Sequence, residues 1–104
     1  MNKDEIVQKI HEEWICLIMR GDTAEETLDT IEAAIDGGAR VVEAAFTTPD
    51  VVKVLRELRR RHGAQIVLSA GTVRTAEQAR IAIDCGVDGI VAPNFYPPVM
   101  ELGR

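Results

Sequence analysis

Apolar, β-branched runs start near Ile15, Val41, Gln65 and Gly89, their starts 26, 24 and 24 residues apart. Each of the first three is followed by a polar segment that opens a helix. Thr23 and Glu26, and later Thr75 and Gln78, have capping-box spacing, in which a hydroxyl and a side chain three residues on satisfy each other's backbone N–H groups. After the second run, Thr48 is placed to cap a helix, with Pro49 at its first position and Asp50 in its first turn. Leu28, Ile31 and Ile35 form one helical stripe, Val51, Leu55 and Leu58 a second, and Ala79, Ala82 and Ile83 a third. The three stripes end on Gly37-Gly38, Gly63 and Gly86, where a left-handed C-cap costs least. Ahead of them, Ile6, Val7, Ile10 and Trp14 predict a short amphipathic helix over about residues 2–13. The segment Tyr96–Arg104 carries Pro97-Pro98 near its start and reads as the opening of a fourth crossover helix.

This is a β-then-α register, repeated. Ala34-Ile35-Asp36-Gly37-Gly38 is echoed by Ala82-Ile83-Asp84-Cys85-Gly86 at an offset of 48 residues, two βα periods. No linker interrupts the units, so the expectation is a single partial domain over 1–104, with βα units starting near 15, 41, 65 and 89. Strands alternating with helices pair in parallel through right-handed crossovers. Two architectures fit: a small open α/β sheet, or half of a (β/α)8 TIM barrel with four parallel strands behind a short N-terminal helix. Glu43 favours the half-barrel. In Val41–Phe46 the residues Val42, Ala44 and Phe46 share an apolar face, whereas Glu43 lies on the other with Val41 and Ala45. A carboxylate in mid-strand on a buried face is expensive unless a polar cavity or a charge receives it, and the mouth of a barrel is such a place. In Ile15–Arg20 the residues Cys16, Ile18 and Arg20 share a face in the same way.

Composition narrows the function classes. Hydrophobic residues make up 46% and charged residues 28% of the 104, enough for a core, and with aromatics at 4% that core is aliphatic. Seventeen acids against twelve bases leave a net charge of −5, the wrong sign for a nucleic-acid binder. No run approaches the roughly 18 apolar residues of a membrane span, and acids occupy the N-terminus where a signal peptide has bases. The expected setting is the cytoplasm. Cys16 and Cys85 lack CxxC spacing and read as two reduced, buried thiols.

In parallel α/β folds, ligands sit beyond the carboxyl ends of the strands. The polar residues gathered there are Arg20, Glu43, Thr47, Thr48, Thr72 and Asn94. Arg20 has the planar fork that clamps a carboxylate or phosphate. Glu43 is placed to move protons if the lumen raises its pKa. Thr72, after the tight Ser69-Ala70-Gly71 turn, offers a hydroxyl and neighbouring N–H groups to an anion. Plainer roles compete: an Arg20–Glu43 salt bridge tying two strands, and helix or turn caps at Thr48 and Thr72. His11 and His62 read as surface or helix-end residues, and Arg56, Arg59, Arg60 and Arg61 as a solvated helix face. No cluster has metal-ligand spacing, and no phosphate-binding glycine loop or cofactor motif is present.

An ordered set of pieces resembles a known family. These are Ile18-Met19-Arg20-Gly21, Gly37-Gly38-Ala39-Arg40-Val41-Val42-Glu43, Thr48-Pro49, Ala70-Gly71-Thr72-Val73, Glu77-Gln78 and Ile90-Val91-Ala92-Pro93-Asn94. From about Ile15 to Met100 the chain is similar to the N-terminal half of the 2-keto-3-deoxy-6-phosphogluconate aldolases, a family that includes 4-hydroxy-2-oxoglutarate and phosphogalactonate aldolases. The resemblance implies a (β/α)8 barrel, usually trimeric, that cleaves 2-keto-3-deoxy sugar acid phosphates to pyruvate and an aldehyde without a cofactor. It implies a lysine Schiff base, Glu43 as general acid/base, and Arg20 and Thr72 holding the substrate carboxylate; Thr47 and Asn94, by their place at the strand ends, are expected as further substrate contacts. Ala45 stands where the family often has Thr, and Thr47 where many members have Arg.

The family's Schiff-base lysine lies on the sixth strand, and this chain has four. Its three lysines, Lys3, Lys9 and Lys53, all fall on predicted helices. The expectation is kinship with a class I aldolase whose activity needs a further half of the barrel. The alternative is a non-catalytic half-barrel that binds a small anion or serves as an assembly module. Its two open strand edges would make it at least a dimer. A different phosphosugar barrel enzyme, such as an epimerase, is disfavoured by the lack of strand-end histidines.

Overall fold

The computed structural model describes all of residues 1–104. Helix α1 (Lys3–Glu13) leads to strand β1 (Leu17–Met19), followed by α2 (Ala24–Asp36), β2 (Val41–Ala45), α3 (Val51–His62), a 3-10 turn (Gly63–Gln65), β3 (Val67–Gly71), α4 (Ala76–Asp84), β4 (Gly89–Ile90) and α5 (Pro97–Gly103). The strands form one parallel sheet in the order β1-β2-β3-β4. This is the half-barrel arrangement that the repeat predicts. Register places Ile18 beside Glu43, Glu43 beside Ser69, and Ala45 beside Gly71.

Alternation along the strands sorts side chains to the two faces of the sheet. Val42 and Ala44 of β2, with Leu68 and Ala70 of β3, join Ile31 and Ile35 of α2, Leu55 and Leu58 of α3, Ala79 and Ala82 of α4 and Val99 of α5 in one core. The opposite face would line a barrel lumen. Helix α1 makes its main contacts with β2 and β3 rather than with the other helices, and Val41 and Val67 at the N-terminal ends of these strands are buried. At the flanks the lumenal face is open, with Ile18 50% and Val91 47% exposed.

Several local expectations change in the folded chain. Thr23 and Thr75 do cap α2 and α4, accepting from the N–H groups of Glu26 and Gln78 at 3.0 Å. The reciprocal bond is missing; Gln78 instead accepts from the N–H of Arg74 at 2.8 Å. The one complete capping box joins Asn2 and Glu5 at the start of α1. Thr48 does not cap α3. That helix starts at Val51 behind Asp50, whose φ is 53° and whose side chain makes no cap bond. Strand β1 keeps only Leu17–Met19 of the predicted Ile15–Arg20, because nothing pairs with its outer edge.

Two side-chain expectations are corrected as well. Cys85 is buried but Cys16 is exposed, since the lumenal face around it is uncovered. The arginines of α3 are not simply a solvated face. Arg59 reaches across to the Gly86 carbonyl at 2.8 Å and to Asp88 at 2.6 Å, while Arg60 and Arg61 both engage Glu57. These guanidinium bonds hold the Glu57 carboxyl down at about 2. His62 ends α3 with its Nε2 at 2.8 Å from Glu32 of α2.

Candidate functional site

The chemistry-bearing residues collect at the carboxyl ends of the strands because all four strands run the same way. Glu43 is the most confined of them. It sits in the middle of β2, only 5% exposed, on the lumenal face. The close approach of its side chain depends on Gly71 of the adjacent strand. A Cβ at position 71 would overlap the Glu43 carboxylate, lying 2.7 Å from its Cδ. Glycine there is a steric requirement of the site.

Burial pushes the Glu43 carboxyl above its ordinary value, and the positive charge of Arg20 pulls it part of the way back. No hydrogen bond contributes to this balance. No sealed side-chain oxygen in the molecule lacks a partner, so the Glu43 oxygens still reach the water of the open lumen. Arg20 is exposed just beyond β1 and forms no ion pair with Glu43. The salt bridge that could have tied the two strands is therefore absent. What remains is a free guanidinium near an unpaired carboxyl.

Thr72 follows β3 directly and adopts φ 55°. A β-branched residue in the left-handed region costs about 1–2 kcal/mol. The turn that imposes it is anchored on both sides: the N–H of Phe46 bonds the Gly71 carbonyl at 2.8 Å, and the N–H of Val73 bonds the Val91 carbonyl at 3.1 Å. The N–H of Thr72 itself meets no backbone acceptor, so the turn presents a free donor beside a half-buried hydroxyl.

Thr47 and Asn94 lie in the loops after β2 and β4, and both are exposed. The structure brings Arg20, Glu43 and Gly71 together and leaves Thr47 and Asn94 at the rim without a partner. Thr48 is buried, and its Oγ1 accepts from the N–H of Gly21 at 3.2 Å, which ties the loops after β1 and β2. Cys16 is a neighbour of Glu43 that sequence reasoning took for core. Its thiol is raised by partial burial and by the Glu43 charge. The signal was present in the alternation Cys16, Ile18, Arg20, which places it on the lumenal face.

No enclosed pocket surrounds this cluster. Surface cavities lie elsewhere, one of about 410 Å³ between α2 and α3 beside Leu28, Lys53 and Arg61, another of about 300 Å³ beside Ile90 and Met100. No group of acidic, histidine or cysteine side chains is arranged to hold a metal, and no helix is long and apolar enough to cross a membrane.

Comparison with known proteins fits this geometry. A family model described as KDPG and KHG aldolase matches residues 6–104. The chain is 30% identical over 98 residues to a 2-dehydro-3-deoxy-phosphogluconate aldolase of Haemophilus influenzae, covering 94% of this chain and 46% of that protein. It is 31% identical over 84 residues to the 2-dehydro-3-deoxy-6-phosphogalactonate aldolase of Escherichia coli, covering 81% and 41% respectively. The crystal structure of a KDPG aldolase from Legionella pneumophila, with pyruvate captured as a covalent carbinolamine, superposes with a TM-score of 0.75 at 25% identity, over 85% of this chain and 42% of that one. The chain thus spans about half the length of the curated relatives it matches. With the family model spanning nearly the whole chain, this protein belongs to the KDPG and KHG aldolase family.

Proposed function

We propose that the chain, as one partial-barrel domain, carries the proton-transfer and carboxylate-binding half of a class I aldolase site for 2-keto-3-deoxy sugar acid phosphates. The observation that carries this reading is Glu43: a nearly buried, unpaired carboxyl on the lumenal face, held above its ordinary pKa against Gly71. A carboxyl in that condition exchanges protons near neutrality better than a solvated one. In cleavage it would take the proton from the 4-hydroxyl as the bond between C3 and C4 breaks and return one to C3 of the pyruvate enamine. Arg20 would pair with the substrate carboxylate, and the free N–H and hydroxyl of Thr72 would complete its binding. Thr47 and Asn94 stand at the rim, in position for the rest of the sugar acid.

The iminium needs an amine, and this chain offers none at the site. Lys3 and Lys9 are in α1 and Lys53 is in α3, all off the strands. The amine must come from a second polypeptide segment. Borohydride reduction with pyruvate, followed by mass spectrometry, tests this directly. The chain alone should give no adduct; with the C-terminal half of a related aldolase supplied, an adduct should form on the added half. In that complex Glu43→Gln should lower turnover by about 10²-fold or more. An adduct on Lys3, Lys9 or Lys53 would overturn the reading. The positions of the lysines favour one competing role, a non-catalytic module that binds a small anion, which predicts pyruvate binding without trapping in either experiment.

A further inference from the structure

Arg20 lies outside the sheet. The ladder between β1 and β2 ends at Met19 beside Ala44, and Arg20 itself makes no backbone hydrogen bond. Its main chain is placed instead by Gly21, the next residue along. The N–H of Gly21 donates to Thr48 Oγ1 at 3.2 Å. Thr48 is buried, and its own N–H bonds the Ala45 carbonyl at 2.9 Å, at the end of the strand that carries Glu43. On the other side, Gly21 rests against the first turn of α2. A Cβ at position 21 would lie 1.9 Å from Thr27 Oγ1 and 3.3 Å from the Thr23 carbonyl oxygen. Neither neighbour is free to give way: Thr27 is fully buried, and its hydroxyl donates to that same Thr23 carbonyl at 2.8 Å. Only glycine fits between them.

The clasp bears on the two charges of the site. Arg20 acts on Glu43 through space, yet no ion pair joins them. A guanidinium borne on a loose strand end is free to swing onto the nearest carboxyl. One whose main chain is gripped by α2 and by the loop after β2 keeps its distance and stays available to an external anion. Fixing a binding group before its ligand arrives also removes an ordering cost that binding otherwise carries.

We propose that Gly21, gripped between Thr48 and Thr27, is a positioning residue that aims Arg20 at the substrate carboxylate and holds it off Glu43. The inference rests on the carboxylate-binding role given to Arg20 above.

Titration of the full, isotope-labelled chain with pyruvate tests it, followed by nuclear magnetic resonance at the Arg20 Nε–H and the Thr72 amide. The parent should show saturable shifts at both. Gly21→Ala drives a Cβ into Thr27 and should weaken pyruvate binding about tenfold, with the amide spectra of α3 and α4 unchanged. Thr48→Val, which leaves the Gly21 N–H without its acceptor, should weaken binding in the same direction, and Thr48→Ser should restore it. Adding Thr27→Ala to Gly21→Ala removes the hydroxyl that the new Cβ meets and should recover part of the affinity. In an Arg20→Ala background, read at Thr72, neither Gly21→Ala nor Thr48→Val should weaken binding further; a general loosening of the fold would weaken it in both backgrounds. Parent affinity in folded Gly21→Ala and Thr48→Val chains overturns the proposal, and so does an equal loss with Arg20 removed. A parent chain that binds no pyruvate, or an Arg20→Ala chain that binds it as tightly, overturns the carboxylate-binding reading and the clasp with it.

Discussion

At the scale of single residues, the site is a contest between burial and charge at Glu43. Its carboxyl is raised, so the unfolded chain releases that proton at lower pH than the folded one does. The contribution of Glu43 is therefore fully present below the ordinary carboxylate value of 4.5 and is lost as pH rises through the higher folded value. Glu43→Gln, which stays neutral, should be more stable than the parent at pH 7, and the gap should close as pH falls below 4.5. Urea denaturation across pH reads this; a gap that widens on acidification would contradict it. Gly71 is the steric counterpart. Gly71→Ala should cost about 1–3 kcal/mol by forcing the carboxylate aside. The same substitution in a Glu43→Ala background should cost much less, because the atoms a Cβ meets there belong to Glu43.

Among the elements, the loops after the strands matter more than the helices for holding the site. Thr48 illustrates why. It has the residue type and position of an N-cap, but its hydroxyl turns inward to the N–H of Gly21, and α3 starts uncapped behind Asp50. Thr48→Val keeps the shape, removes the acceptor and leaves a part-buried N–H unpaired, at a cost of about 1–2 kcal/mol. Thr48→Ser should restore most of it. Thermal melts of the two variants decide the matter, and equal stability would return Thr48 to the role of a spectator. Arg59 does related work at the other end of the sheet. It bonds the Gly86 carbonyl and Asp88, and Asp88 accepts the N–H of Leu68 at 3.0 Å, so α3, β3 and the turn before β4 are held as one unit.

For the molecule as a whole, one helix layer on one parallel sheet leaves stability tied to whatever covers the second face. When the C-terminal half of a related aldolase covers it, folding and association are linked by mass action. The melting temperature should then rise with the concentration of that added half, by several degrees per tenfold for a domain of this size, and Ile18→Lys should weaken the dependence. A melting temperature that does not move with concentration would detach stability from association.

Much of this was legible in the chain itself. Apolar runs 24–26 residues apart, helix stripes and glycine stops determined the order of elements, the parallel pairing and the faces of β2, because alternation and helical period are local properties of covalent geometry. The same alternation marked Glu43 and Arg20 as lumenal. Tertiary structure decided what depends on neighbours distant in sequence: that Arg20 and Glu43 form no ion pair, that Cys16 lies open beside Glu43, that Thr48 serves the loop after β1 instead of α3, and that Gly71 makes room for a carboxylate 28 positions earlier. Hydroxyls and guanidinium groups can each satisfy several partners of similar energy, so only the assembled backbone selects among them.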